Sequence, residues 1–349
     1  MKALIFNGPR DIRYEDFKDP ERTIDNAVIM KVKKCSICGS DLHIYHGDQI
    51  GKKNYDADQH KFCVGHEFIG EVVEIGPDVH DLKVGDQILS AGGTGCGKCT
   101  YCRTANIWKC KRATAFGLSN EMNGGQAEFV QIPNADRTLM RIPEGVGDEQ
   151  AMLLTDALAT ASFGINNTGL LPGQSLAVVG LGPIGLLGIE LAFLRGASQI
   201  FAIDPVAGRR AQAEKLGAIA FAPGDEAIGA IVEATKGGVH CVFEASGASS
   251  AVASTLPLVR TGGGLSFIGL PQPGVALPLN QILYKGITVK AGVAPVQDLW
   301  EPLIPMLQSG RLKATGLFSH HMDLADGAQA YKIFDARADN VVKIMMNVN

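Results

Sequence analysis

The sequence predicts an α/β protein of two domains, one mainly β and one built on a doubly wound parallel sheet. Length is the first reason: 349 residues, at about 150 per domain, make roughly two. The second is a change of texture between residues 150 and 175. Ahead of it, short alternating runs at Ala27–Val32, Phe68–Ile75, Gln87–Ser90 and Ala127–Ile132 sit between turn signals such as Pro77, Gly85-Asp86 and Pro133. That is the pattern of short strands. The third is the alternation that follows. Ser175–Gly180, Gln199–Asp204, Val239–Glu244 and Leu265–Gly269 read as buried parallel strands. Pro183–Arg195, Ala207–Leu216, Asp225–Thr235 and Ser249–Val259 read as the helices between them, which makes βαβ units. Gly196 and Gly217 stand just past two of those helices, where a terminating glycine is expected. From Pro295 a helix (Gln297–Ser309), a strand (Leu317–Met322), a helix (Leu324–Ala336) and a last strand (Val341–Met346) are expected to return to the first domain. The expected domains are therefore 1–156 with 294–349, and 157–293.

Composition excludes several classes. With 46% hydrophobic and 19% charged residues the chain is neither disordered nor fibrous. A net charge of −4 provides no global field for nucleic acid or an anionic membrane. The longest apolar stretch, Ser175–Leu194, is interrupted by four glycines, Pro183 and Glu190, so it is too broken to span a bilayer. Met1–Arg10 starts as a strand and lacks the pattern of a signal peptide, so the cytoplasm is the expected compartment.

The eight cysteines do not read as a disulfide framework in a chain of this length. Four of them form Cys96-x2-Cys99-x2-Cys102-x7-Cys110, a spacing suited to one tetrahedral zinc held by protein alone, hence a closed structural site. Gly95 and Gly97 let the backbone fold around the ion, and Lys98, Arg103, Lys109 and Lys111 offset the thiolate charge. An iron–sulfur cluster also takes four cysteines, but this spacing differs from the ferredoxin runs.

Strand Ser175–Gly180 runs into Gly180-Leu181-Gly182-Pro183-Ile184-Gly185 and then a helix, the context a dinucleotide fingerprint requires. The first glycine makes the turn, the second admits the pyrophosphate, and the third lets helix and strand pack. The free N–H groups of the helix start then face the phosphates. Asp204 ends the second strand, nineteen residues past Gly185. A carboxylate there accepts bonds from ribose hydroxyls and repels a 2′-phosphate, so NAD is favoured over NADP. Arg209 and Arg210 weigh the other way, and Arg209 is counted with the cofactor site, as is Gly269 at the end of the fourth strand.

Cys38-Gly39-Ser40-Asp41-Leu42-His43 is followed by Gly65-His66-Glu67, Gly85-Asp86-Gln87-Ile88, the four-cysteine loop, Gly124-Gly125-Gln126-Ala127-Glu128-Phe129 and the glycine fingerprint. In this order the motifs resemble the zinc-dependent medium-chain alcohol dehydrogenases over essentially the whole chain. The resemblance implies a Rossmann nucleotide domain beside a GroES-like, mainly-β catalytic domain. It implies a catalytic zinc on Cys38, His66 and Asp156, the last in Leu154-Thr155-Asp156-Ala157-Leu158, where some members carry cysteine and others an acid. Members with an aspartate there look most like secondary-alcohol dehydrogenases. The resemblance makes Glu67 an acid able to approach the metal and Asp41 the partner of the His66 ring. It makes Ser40 the group that hydrogen-bonds the substrate oxygen, and His43 the solvent end of a proton relay. Thiolate, imidazole and carboxylate neutralise Zn²⁺ and leave the fourth position open, where an alcohol is acidified as a zinc-bound water is. Two zincs and NAD(H) per subunit follow. Cys35, Cys63 and Cys241 read as buried core.

Two departures bear on substrate. The interval from His43 to His66 is long, with a polar extra segment at Asp48–Phe62 that includes Lys52, Lys53, Asp56, Asp58 and Gln59. It is expected to form a loop near the site. Ser90-Ala91-Gly92-Gly93-Thr94-Gly95 replaces the bulky residues that usually line the pocket, which implies a substrate larger than ethanol: a branched secondary or an aryl alcohol. Phe116 is either the opposite wall or core. A polyol or amino-alcohol dehydrogenase of the same architecture is the alternative. Quinone and enoyl reductases of this fold lack both metal sites, and a zinc-ribbon nucleic-acid binder is opposed by the charge of −4 and by the glycine fingerprint. The family forms dimers or tetramers, usually through the edge of the nucleotide sheet. The apolar strand material at Leu277–Val293 fits that, with a homotetramer expected and a dimer possible.

Overall fold

Period-two alternation builds the first unit. In strand Lys2–Gly8, Leu4 and Phe6 enter the main core while Ala3 and Ile5 enter a smaller one on the opposite face. The structure, a computed structural model, describes residues 1–48, 61–104, 106–271 and 274–349. It comprises one unit of residues 1–156, 295–308 and 315–349, and another of residues 157–294 and 309–314.

In the first unit, Lys2–Gly8 lies between Asp11–Asp16 and Phe62–Cys63. A larger sheet runs Leu139–Arg141, Gln87–Ser90, Glu67–Ile75, Val28–Ser36, Lys343–Asn347, Phe318–Asp323, with Phe129–Ile132 also paired to Val28–Ser36. Strand Val28–Ser36 is the hub. Val28, Met30 and Val32 are buried in the core while Lys31 and Lys33 face out, and the register against Glu67–Ile75 shifts at two irregularities, between Ile29 and Met30 and between Val32 and Lys34. The chain's tail does return here: Met345 pairs Ser36 and Met346 pairs Cys35. The expected single helix at Leu324–Ala336 is a 3₁₀ turn, Leu324–Asp326, followed by helix Gly327–Ala336.

In the second unit, six strands are all parallel in the spatial order Ile219–Phe221, Gln199–Ile203, Ser175–Val179, Val239–Glu244, Val259–Phe267, Thr288–Ala291. Numbered along the chain this is 3-2-1-4-5-6, the dinucleotide-binding order that reverses at the first strand. The strands are buried on both faces because helices cover them, which is why their sequences are runs of apolar residues without alternation. The fifth strand along the chain starts six residues earlier than the apolar run suggests, at Val259, which pairs Val239 ahead of a bulge where Gly262 has φ 74°. Residues 309–314, which the sequence groups with the first domain, cluster with the second. There the Glu190 carboxylate accepts the Lys313 and Ala314 N–H groups. Among the described residues no helix is long and apolar enough to cross a membrane.

Candidate metal centre and cofactor turn

Helix Gly39–His46 carries the first ligand at its start, with Cys38 at the N-cap in an extended conformation. Asp41 in the first turn accepts the Cys38 N–H through Oδ2 at 2.8 Å, which satisfies an orphan donor of the helix start. Its other oxygen, Oδ1, lies 3.0 Å from His66 Nδ1. One buried carboxylate therefore holds both candidate ligands, and by pairing with Nδ1 it leaves Nε2 as the ring nitrogen that faces Asp156. Asp156 follows helix Asp148–Leu154, whose end is anchored by Trp300 donating from Nε1 to the Leu154 carbonyl at 2.9 Å. Its Oδ2 stands 3.3 Å from Cys38 Sγ and 3.4 Å from His66 Nε2.

The donor atoms of Cys38, His66 and Asp156 all lie within 4.8 Å of one another. Zinc with bonds of about 2.3 Å to sulfur and 2.0–2.1 Å to nitrogen or oxygen needs donor separations of about 3.3–3.5 Å. The three residues fit it and leave one coordination position for an outside ligand. The electrostatics match a site waiting for a cation. Burial pushes the Cys38 thiol up to about 11, helped by the charges of Asp156 and Glu67. Burial works against a charged His66, but Asp41 and Asp156 outweigh it and raise the imidazole well above its ordinary value. Metal and protons therefore compete for both side chains. Metal uptake at this site is expected to release protons, at least the one on the Cys38 thiol, and to weaken steadily as pH falls, read by calorimetry in buffers of different ionisation enthalpy. A proton count of zero would show that these ligands are not the ones engaged.

Glu67 is fully buried at the start of its strand. Its Oε2 lies 2.5 Å from Lys343 Nζ, and its Oε1 has no hydrogen-bond partner among the described residues. Burial pushes this carboxyl up against the opposing pull of Lys343. Sequence reasoning did not pick out Lys343, although a lone charge inside Val341-Val342-Lys343-Ile344-Met345-Met346 was the available signal. Ser40 is half-buried beside Cys38. His43 is also half-buried, with Nδ1 3.5 Å from Asp48. The extra segment lies outside the described residues over 49–60, so Lys52, Lys53, Asp56, Asp58 and Gln59 have no placement. Gly92 lies against the His66 ring: a Cβ there would meet Cδ2 at 3.2 Å. Phe116 is core, fully buried and edge-on to Phe68 at 5.4 Å.

The four-cysteine loop closes on itself, and Cys96, Cys99, Cys102 and Cys110 form a second cluster of potential ligands. Sulfur separations are 3.9 Å for Cys96–Cys102 and 3.5 Å for Cys99–Cys102, near the edge of about 3.8 Å for a tetrahedral zinc–thiolate site. Backbone N–H groups of Lys98 and Cys99 stabilise the Cys96 thiolate and draw its pKa down to about 5. Burial pushes Cys102 the other way, to about 12. Asn134, in the left-handed region at φ 51°, donates from Nδ2 to the Gly95 carbonyl at 2.7 Å and ties the loop to the sheet.

In the other unit the glycine turn is as tight as its sequence requires. Gly180 has φ 92°, and a Cβ on Gly185 would meet the Gly180 carbonyl oxygen at 1.9 Å. A Cβ on Gly182 would meet nothing within 4 Å, so the space above the helix start is open. Pro183 and Ile184 open helix Pro183–Leu194. The Asp204 carboxylate accepts the Leu181 and Val206 N–H groups, each at 2.8 Å, one per oxygen. Arg210 Nη1 donates to the Asp204 and Pro205 carbonyls, both at 2.8 Å, so its guanidinium fastens the turn. Arg209 is half-buried one position earlier in the same helix. Gly269 packs so closely on the neighbouring turn that a Cβ would meet Gly247 N at 2.0 Å.

A parallel sheet of this order with a glycine turn, in a chain that also carries a closed and an open set of candidate metal ligands, is the architecture of a metal-binding protein with a dinucleotide fold. Comparison with known proteins makes it specific. Residues 24–144 match the alcohol dehydrogenase GroES-like domain and residues 183–309 the zinc-binding dehydrogenase domain. A Mycobacterium tuberculosis protein named "Probable zinc-binding alcohol dehydrogenase" is 35% identical over 350 residues, 99% of this chain and 88% of the relative. An L-threonine 3-dehydrogenase of Caldanaerobacter subterraneus is 35% identical over 290 residues, 81% of this chain and 80% of its own. Among solved structures, an alcohol dehydrogenase from Thermus sp. ATN1 superposes with a TM-score of 0.90 at 31% identity, covering 100% of both chains. The chain belongs to the zinc-containing medium-chain alcohol dehydrogenase family.

Proposed function

We propose that this zinc-dependent oxidoreductase is an NAD(H)-linked dehydrogenase that interconverts a secondary or aryl alcohol and its carbonyl compound. The observation that carries the proposal is the Cys38–His66–Asp156 set with a position to spare, its imidazole fixed by Asp41. When bound, zinc supplies Lewis acidity to the substrate oxygen. The residues do the rest. Asp41 keeps Nε2 of His66 directed at the metal. Ser40 hydrogen-bonds the substrate oxygen and His43, paired to Asp48, passes the proton to solvent. Gly92 puts no side chain against the His66 ring, where a bulky residue would crowd the site, which supports a bulky substrate. A panel of ethanol, branched secondary, aryl and polyol substrates, followed by NADH absorbance, tests this; ethanol turned over far better than the bulkier alcohols would overturn the substrate class. The likeness to L-threonine 3-dehydrogenase keeps an amino-alcohol substrate as the second reading, so L-threonine belongs in the panel.

NAD preference rests on Asp204. Each of its oxygens accepts one backbone N–H and retains a lone pair for a ribose hydroxyl. Its charge opposes a 2′-phosphate. Arg210 is engaged with the turn's carbonyls. Asp204→Asn removes a charge-assisted bond worth about 1.5–3 kcal/mol, so kcat/KM with NAD should fall about 10–100-fold and the ratio over NADP should narrow. An unchanged ratio would remove Asp204 from the specificity argument. Association into a homotetramer, or a dimer, is part of the proposal. Leu279, Leu283, Tyr284 and Val293 are strongly exposed around the Thr288–Ala291 edge strand, an apolar surface that a second subunit would cover.

A further inference from the structure

The register of the last strand brings a cation to the metal site. Met345 pairs Ser36, so Lys343, two residues earlier, lies alongside Ile37 and Cys38. Its Nζ is 3.4 Å from the Ile37 carbonyl and 2.5 Å from Glu67 Oε2. Side-chain exposure is 1% for Lys343 and 0% for Glu67, so water does not screen the pair. Glu67 directly follows His66 in the chain, and its second oxygen is buried without a hydrogen-bond partner among the described residues. A buried carboxylate oxygen with nothing to bond, next to a site built for a divalent cation, is a ligand in waiting. Were it to bind, four protein ligands would enclose the metal, as in a structural site, and no position would be left for substrate.

We propose that Lys343 is a positioning residue that holds Glu67 off the metal at Cys38, His66 and Asp156 and so keeps the fourth coordination position open. The inference rests on the reading of that trio as the catalytic metal site. Lys343 acts in two ways. Its short bond fixes Oε2 and hence the direction of the whole carboxylate. Its charge also offsets the one that would draw Glu67 to the cation, and the fields of Cys38 and Asp156 reach Lys343 itself.

The test uses the full-length enzyme loaded with cobalt in place of zinc, with added imidazole as the probe of an open position. Wild type should take two Co²⁺ per chain and shift its visible bands when imidazole is added. In Lys343→Met the bands should differ from wild type before any addition and should not respond to imidazole. Turnover should fall about 10–100-fold, and loss of one metal to a chelator should slow about tenfold. Lys343→Arg should behave as wild type. The Glu67→Gln/Lys343→Met double variant should regain the imidazole response, because the competing ligand is gone. If Lys343→Met does not fold, Lys343→Gln, which keeps a donor near Oε2 without the charge, reads the same difference. Bands and imidazole response unchanged in Lys343→Met would overturn the proposal and make the pair purely structural. Wild-type protein that takes up a single cobalt would overturn the metal reading beneath it, a result visible before any variant is made.

Discussion

Cys38→Ser is expected to abolish turnover while leaving the protein folded with one metal instead of two. Metal polarisation of the substrate oxygen is worth several kcal/mol and each 1.4 kcal/mol is tenfold, so kcat/KM should drop about 10³-fold or more. The serine hydroxyl does not replace the thiolate, because near neutral pH it stays protonated and neutral. His66→Ala should give the same loss, since it removes one of only three candidate ligands, the nitrogen 3.4 Å from Asp156 Oδ2. The informative comparison is with Cys35→Ala and Cys63→Ala. Both thiols are fully buried, in the main and the smaller core respectively, and burial holds both protonated. Those variants should lose some stability but keep two metals and most activity. Equal activity losses at all three cysteines would mean that Cys38 matters for packing and not for metal. Metal analysis beside the kinetics separates the two.

Cys102→Ser should act on stability. Cys102 is 1% exposed and lies at the centre of the loop, within 3.9 Å of Cys96 and 3.5 Å of Cys99. Among the described residues of the loop, Ile107 is the main buried apolar side chain besides the cysteines. Its order therefore depends on the ion, and metal-binding free energy is folding free energy there. The loss is expected to exceed about 4 kcal/mol locally, at the extreme end for single substitutions. Hydrogen exchange should show protection vanishing across 93–115 while strands Val28–Ser36 and Glu67–Ile75 keep theirs. A chelator should reproduce the pattern in wild type. Uniform loss of protection across the first unit would contradict a local structural role.

What the sequence revealed follows from how each feature is encoded. Four of the six strands of the nucleotide sheet were readable because each is a local apolar run, and Gly196 and Gly217, with φ 89° and 97°, mark two of the helix ends between them. The other two are short and little buried: Ile219–Phe221 was not read as a strand, and Thr288–Ala291 only as part of the apolar material at Leu277–Val293. The four-cysteine loop was readable for the same reason, all its ligands lying within fifteen residues. Cys38, His66 and Asp156 are different. Their separations in sequence are 28 and 90 residues, and no local spacing announces a metal site; only the resemblance joined them, and the fold brings them within 4.8 Å. The lone charge of Lys343 in an apolar strand was legible but its pairing with Glu67 was not, because Lys343 lies 276 residues away and reaches it only through the pairing of the last strand with Val28–Ser36. Phe116 illustrates the opposite limit. An aromatic residue can line a pocket or fill a core equally well on sequence, and its edge-on contact with Phe68 decides for the core.

The central claim is that an NAD-linked oxidation depends on a metal held at Cys38, His66 and Asp156, distinct from the one in the four-cysteine loop. The most direct measurement titrates metal per chain against turnover on the alcohol panel, in wild type and in Cys38→Ser. Two zincs in wild type and one in the variant, with NADH formation following the second zinc alone, is the expected result. A wild-type protein with one zinc and no NAD-linked turnover, or turnover that survives in Cys38→Ser, would contradict it.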